Sequence, residues 1–207
     1  MRLVFAAAAV LAVAASAHAD NAFAYHSVAD ITTWVGTGPN SAGIVFDWHD
    51  GKIPATVTVG YHWSGTATGE DMLTAVTAAY PLFHADIRTG AFGDYLFGLG
   101  YDSDANGFTY VPGPLETGSA ADPADHYAEG FLYNGYWSYY NAGPGQYWDF
   151  GDAGMSDRIL SNGDWDGWSF APASSGWDAG PPTFNVPEPA TLGVLMCGSL
   201  FFRRRRN

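Results

Sequence analysis

The chain has 207 residues, with 21 acidic against 8 basic side chains and a net charge of −13. Five of the basic residues are Arg2 and Arg203 to Arg206, so residues 20–186 set twenty acids against Lys52, Arg88 and Arg158, a net −17. A surface of that sign repels phosphate backbones and anionic lipid and attracts cations, which excludes nucleic acid as an expected partner.

At the amino end, Arg2 precedes an apolar, alanine-rich run to Ala15, followed by Ala17-His18-Ala19 before Asp20. A single basic residue, a short apolar stretch and a small-x-small site define a secretory signal over 1–19, cut by signal peptidase after Ala19. The sole cysteine, Cys197, lies in the apolar carboxyl end, so the exported body is expected without a disulfide. Residues 20–171 carry all 8 tryptophans but one, and all 12 tyrosines, far more aromatic surface than a solvated acidic chain keeps. They are expected to fold as one domain, with abundant glycine read as tight turns between short strands.

Ile44 to Trp48 and Ala55 to Trp63 form an expected hairpin around the Asp50-Gly51 turn signal. Val57, Val59 and Tyr61 share its buried face, with Thr56, Thr58 and His62 outside. Thr68 stands three residues before Asp71, and Met72, Leu73, Val76, Ala79 and Tyr80 follow at helical spacing until Pro81. This predicts one capped helix whose first-turn acids, Glu70 and Asp71, face the positive end of the helix dipole. Further strands are expected at 95–101, 108–111, 131–140, 147–150 and 165–170. The fold class is therefore mainly β, an antiparallel sandwich or rolled sheet with one packed α-helix.

Asp102-Ser103-Asp104-Ala105-Asn106-Gly107 alternates oxygen ligands before a glycine, as a loop curled around a hard cation does. Asp102, Asp104, Asn106 and the backbone oxygen of Phe108 are the expected Ca²⁺ ligands. The twelfth position is Gly113 rather than a bidentate glutamate, and Pro112 and Pro114 bar an exiting helix, so half the motif is present. Glu116 is a candidate for the missing oxygen, and a metal-free Asx-rich turn is the competing reading.

Asp125 beside His126 could orient an imidazole, but no serine or cysteine in a nucleophile-elbow context accompanies it. His49 and His62 flank the hairpin without a third zinc ligand. Twenty acids allow so many carboxylate pairs that a glycoside hydrolase, although an alternative, is not indicated by any one pair. Aromatic rings crowd 133–140, with Trp148, Trp165, Trp168 and Trp177 downstream. Flat rings with polar edges stack sugars or planar amphiphiles at low entropic cost, and Trp137, Trp148, Trp165 and Trp168 are the expected noncatalytic binding platform for a glycan or large planar ligand.

Residues 172–185 are rich in Ala, Ser, Gly and Pro and are expected to be a flexible linker. Beyond them come Val186-Pro187-Glu188-Pro189, thirteen apolar residues from Ala190 to Phe202, and Arg203, Arg204, Arg205 and Arg206. A C-terminal hydrophobic helix is expected there; at roughly 20 Å it is shorter than the roughly 30 Å of bilayer hydrocarbon, which makes a shallow or transient anchor. This three-part ending over 186–207 resembles the PEP-CTERM sorting tail, which implies processing by an exosortase-type enzyme after export. The segments Asp30 to Gly36, Gly65 to Leu73 and Gly163 to Phe170 are similar to a recurrent group of exported PEP-CTERM proteins, a resemblance that implies no particular activity. The expected location is the cell surface or extracellular matrix, after transient or permanent anchoring in the membrane. A structural polymer component cross-linked by divalent cations is the alternative to a binding module.

Overall fold

The run Ile44-Val45-Phe46 has no polar alternate, and a strand of that kind is stable only when both of its faces are covered. The computed structural model describes residues 27–184 except 92, 152 and 178, and there this run lies at the centre of a six-stranded sheet. The strands are β1 (Trp34–Gly36), β2 (Asn40–Asp47), β3 (Thr56–Trp63), β4 (Phe83–Gly90), β5 (Gly93–Tyr101), β6 (Tyr110–Val111), β7 (Ser119–Ala120), β8 (His126–Glu129), β9 (Gly135–Ala142), β10 (Asp149–Phe150) and β11 (Trp165–Pro172). The six-stranded sheet has the order β1-β3-β2-β11-β9-β10; β4-β5-β8 form a second sheet and β6-β7 a third.

Among the described residues the chain is thus mainly β with one α-helix, as expected, but the large sheet is mixed. β2 pairs antiparallel with β3 yet parallel with β11, Gly43 opposite Trp165 and Phe46 opposite Trp168, and β1 is parallel to β3. Parallel partners require a long crossover, here almost the entire intervening chain, so no local turn signal announces them. The β2–β3 connection also differs from a tight Asp-Gly hairpin: it spans residues 48–55 and reaches across to the second sheet, where Asp50 accepts from His126 Nδ1 at 3.0 Å.

Alternation divides the side chains between two covered faces. Ala42, Ile44 and Phe46 of β2, Val57 and Val59 of β3, Trp137 and Tyr139 of β9, and Trp168 and Phe170 of β11 point inward. Helix α1 (Gly69–Ala79) meets them with Met72, Leu73 and Val76, and the second sheet with Phe83, Leu96 and Leu99. The helix starts where the sequence places it, with Thr68 and Asp71 completing a reciprocal capping box and Tyr80 closing the other end. Trp48 Nε1 donates to Leu99 O at 2.9 Å and Trp137 Nε1 to Ala128 O at 3.2 Å, so two indoles fasten one sheet to the other.

Val45, Ala142 and Trp165 face outward, packed with Ile31 and with Trp34, Trp148 and Phe184. Glycine in mid-strand serves this face: the Trp165 ring lies where a side chain on Gly43 would stand, and Trp34 does the same over Gly60. Within the expected linker over 172–185, Thr183 donates through N and Oγ1 to Asp47 Oδ2, and Phe184 stacks on Trp148 at 5.4 Å, which lays these two residues over the outer face. The signal at 1–19 and the tail at 186–207 lie outside the described residues, and among the described residues no helix is long and apolar enough to cross a membrane.

An ion-paired carboxyl group lies against the inner core. Asp166, fully buried on the inner side of β11, accepts from Arg158 Nε at 2.7 Å and from Tyr139 Oη at 2.6 Å, while Arg158 Nη2 also reaches Asp164 at 3.2 Å. Burial, then the charge of Asp166, holds the Tyr139 hydroxyl protonated and therefore donating. Removing one member of such a buried set strands the others without compensation. Asp166→Ala should lower unfolding free energy by about 3–5 kcal/mol, and Tyr139→Phe by about 1–3 kcal/mol, read from urea unfolding midpoints.

Candidate ligand-binding cleft and cation cluster

Where β5, β9 and the 151–155 segment meet, a cavity of about 420 Å³ opens. Its aromatic lining comes from Tyr95, Phe131, Tyr136, Trp137, Tyr139, Phe150 and Trp168. Trp137 and Trp168 are the floor, 5% and 3% exposed, whereas Phe131 and Phe150 stand at the mouth, 50% and 54% exposed. Tyr95 and Phe131 pair at 4.8 Å and Tyr139 and Trp168 at 4.7 Å, tilted ring contacts of the kind aromatic clusters favour. Trp168 Nε1 is buried without a hydrogen-bond partner among the described residues.

The four tryptophans expected to act together do not form one platform. Trp165 is on the opposite face of β11 from Trp168, since an odd step along a strand reverses the side chain, and it is 1% exposed among core residues. Trp148 belongs to the same outer cluster, against Phe184. The rings that take their place in the cleft are Tyr95 from β5, Phe150 from β10 and Phe131, which lies in the loop before β9 rather than in the expected strand over 131–140.

That loop is held by an unexpected group. Glu116 Oε2 accepts from the backbone N of Phe131, Leu132 and Tyr133, each at 2.9 Å, in the manner of an anion in a nest of successive amides. The carboxylate therefore fixes three apolar residues, all at least half exposed, at the rim of the cleft. Glu116 is in this way engaged with the loop and is not in the cation cluster for which it was a candidate. Burial pushes the Glu116 carboxyl up, but the donors from Phe131, Tyr133, Leu132 and Asn134 outweigh it and hold the group below the usual glutamate range.

The Asx-rich turn joins β5 to β6. Asp102 is 4% exposed and its carboxylate accepts from Asn106 N at 3.2 Å and Gly107 N at 2.8 Å. Asp104 is exposed, and Asn106 Nδ2 donates both to it at 2.9 Å and to Asp122 at 2.8 Å. The structure brings Asp102 and Asp104 together with Asp125, which lies just before β8: one oxygen from each falls within 4.8 Å of the others. Asp125 is fully buried, with Oδ1 accepting from Ser103 N at 3.0 Å. Burial, with the charges of Asp102, Asp122 and Asp104 adding to it against the Ser103 amide, pushes the Asp125 carboxyl up. The Phe108 ring meanwhile stacks on His84 at 4.2 Å.

His126 is oriented not by its neighbour Asp125 but by Asp50, and stacks on Trp48 at 4.7 Å. Burial alone would raise the Asp50 carboxyl; the His126 hydrogen bond, the Lys52 amide and both positive partners outweigh it and bring it below the ordinary aspartate value. A Ser-His-Asp chain also exists on the outer face, with His49 Nε2 at 2.8 Å from Ser169 Oγ and His49 Nδ1 at 3.4 Å from Asp47. Ser169 is fully buried inside β11, laddered to β2 and β9, so a carbonyl carbon reaches its hydroxyl only if strands separate. His62 stacks on Trp34 at 4.3 Å, away from His49.

Comparison with protein families, curated proteins and solved structures finds no match for this chain.

The Glu116 clasp has a pH signature. Its carboxyl binds protons less readily in the folded than in the unfolded chain, so its contribution is present above the ordinary glutamate range, about pH 4.3, and is lost as pH falls through the lower folded value. Glu116→Gln should flatten that part of the stability profile between about pH 5 and 3, measured as urea midpoint against pH. The same variant should speed proteolytic cleavage within 131–134.

Proposed function

We propose that the chain is an exported cell-surface or extracellular-matrix protein, sorted by an exosortase-type system, whose β body is a noncatalytic binding module. In this reading the body is a two-layer sandwich, the six-stranded sheet backed by the three-stranded one, and the ligand enters the aromatic cleft between them. The observation that carries it is the set of rings in the cleft, a buried floor of Trp137 and Trp168 with a half-exposed rim of Phe131 and Phe150. A site that is concave, largely apolar and provided with a few polar groups is the usual form of a small-ligand pocket.

The ligand favoured is one with a flat apolar face: the face of a sugar ring or a planar amphiphile. Stacking on Tyr95, Phe131 and Trp168 supplies the area. Tail residues Val186 to Pro189 and Arg203 to Arg206 support the sorting step, as Ala17 and Ala19 support removal of the signal.

Tryptophan fluorescence titrated with neutral oligosaccharides and, separately, with anilinonaphthalene sulfonate tests the site. A saturable change with one probe class is expected, weakened about tenfold, or ~1.4 kcal/mol, by Tyr95→Ala or Phe131→Ala. Binding unaltered by both variants would remove the cleft from the proposal. Mass spectrometry of envelope-derived protein should find Asp20 at the amino end; a retained Met1 would overturn the export reading.

A second reading, a matrix component bridged by divalent cations, is favoured by the net −17 of residues 20–186. Calcium-dependent self-association in light scattering, in the absence of any cleft ligand, distinguishes it.

A further inference from the structure

Antiparallel pairing of β5 with β8 sets Tyr101 opposite His126. One step beyond that pair, Asp102 and Asp125 therefore face each other, one leaving β5 and the other entering β8. Like charges directly opposed across a ladder repel, and here both carboxylates are buried, 4% and 0% exposed. Asp104 brings a third acid to the same point, with one oxygen of each residue within 4.8 Å of the others.

Two observations separate this cluster from an ordinary acidic turn. Asp125 Oδ2 is buried and has no hydrogen-bond partner among the described residues, although the other oxygen of the same carboxylate accepts from the Ser103 amide. A fully buried carboxyl oxygen without a hydrogen-bond partner carries a desolvation cost that nothing around it offsets. Secondly, the nearest base does not answer it. Lys52 Nζ donates to the backbone oxygen of Asp125 and lies 3.9 Å from Asp50, leaving the three carboxylates without an ion pair among the described residues.

We propose that Asp102, Asp104 and Asp125 bind one divalent cation of the calcium class. Oxygen-only ligands select a hard cation. Calcium–oxygen contacts of about 2.3–2.6 Å allow two ligands of one ion to stand up to about 5 Å apart, which spans the cluster. The ion gives Asp125 Oδ2 its missing partner and replaces repulsion between β5 and β8 by shared attraction. Asp125, contributed from 22 residues further along the chain than Ser103, takes the part that a glutamate at the end of a contiguous loop would otherwise take. The cation thus joins two loops, and the Asx-rich turn supplies only two of the three carboxylates. This site is separate from the aromatic cleft, and its failure leaves the binding reading untouched.

Full chain stripped with EGTA tests the proposal by thermal melting against added calcium and by terbium luminescence sensitised through Tyr101 and Trp48, whose rings are 6.1 Å apart beside the site. A saturable rise in melting temperature with calcium and a terbium signal displaced by calcium are expected. Asp104→Asn and Asp125→Asn should each weaken calcium affinity at least about tenfold, whereas Asp86→Asn, outside the cluster, should leave it unchanged. Asp125→Asn should melt no lower than the parent without the ion, because it removes a buried repulsion; a purely structural aspartate would lose stability equally with and without calcium. Asp104 is exposed, so its variant gives the affinity readout even where Asp125→Asn fails to fold. No calcium-dependent melting shift at about ten times the millimolar affinities of weak extracellular sites, or a shift undiminished in Asp104→Asn, would overturn the assignment.

Discussion

A negative charge buried against the core governs this molecule. Asp166 projects from the start of β11 toward the same side as Trp168 and Phe170, where an unpaired carboxylate would cost several kcal/mol, and the surrounding chain is arranged to meet it. Arg158 approaches from the loop before β11 and Tyr139 from β9, while Gly69 opens helix α1 at a spot where any side chain would strike the Tyr139 hydroxyl or Asp166 itself. The loop is then tied to the helix start: Gly69 N donates to Arg158 O and Glu70 N to Met155 O, each at 3.0 Å. In a body with twenty acids and three bases, spending one arginine in this place joins sheet, helix and loop at a single point. Tyr139 and Met155 also line the cleft, so the network that stabilises the core shapes one wall of the candidate site.

Much of the element pattern was legible in the chain because it rests on local chemistry. The capping box at Thr68 and Asp71 and the apolar spacing of Met72, Leu73 and Val76 are contained within a dozen residues, and the helix appears as they dictate. β4 was not legible: His84 to Gly90 are polar or exposed over most of their length, as befits a strand at the edge of its sheet, and no alternation marks them. The mixed order of the large sheet was equally hidden, since β2 and β11 meet across more than a hundred residues and only their two-sided burial hints at a central position.

The candidate sites followed the same division. Asp102 and Asp104 could be read from their spacing, but Asp125 joins them through strand register, and Glu116 serves the Phe131 loop through a nest of backbone amides that no residue pattern encodes. Tryptophan count suggested binding, yet parity along β11 decides which ring meets a cleft and which fills the opposite layer. Trp165 and Trp168 are three positions apart and end in different clusters. Aromatic abundance in this chain therefore fills two cores first and lines the cleft second.

Phe184 and Thr183 are clamped on the outer layer, whereas the cleft opens through the inner one. The strap and the cleft thus lie on opposite sides of the large sheet, so a substitution at Thr183 or Trp148 would loosen the strap without touching a residue that lines the cleft.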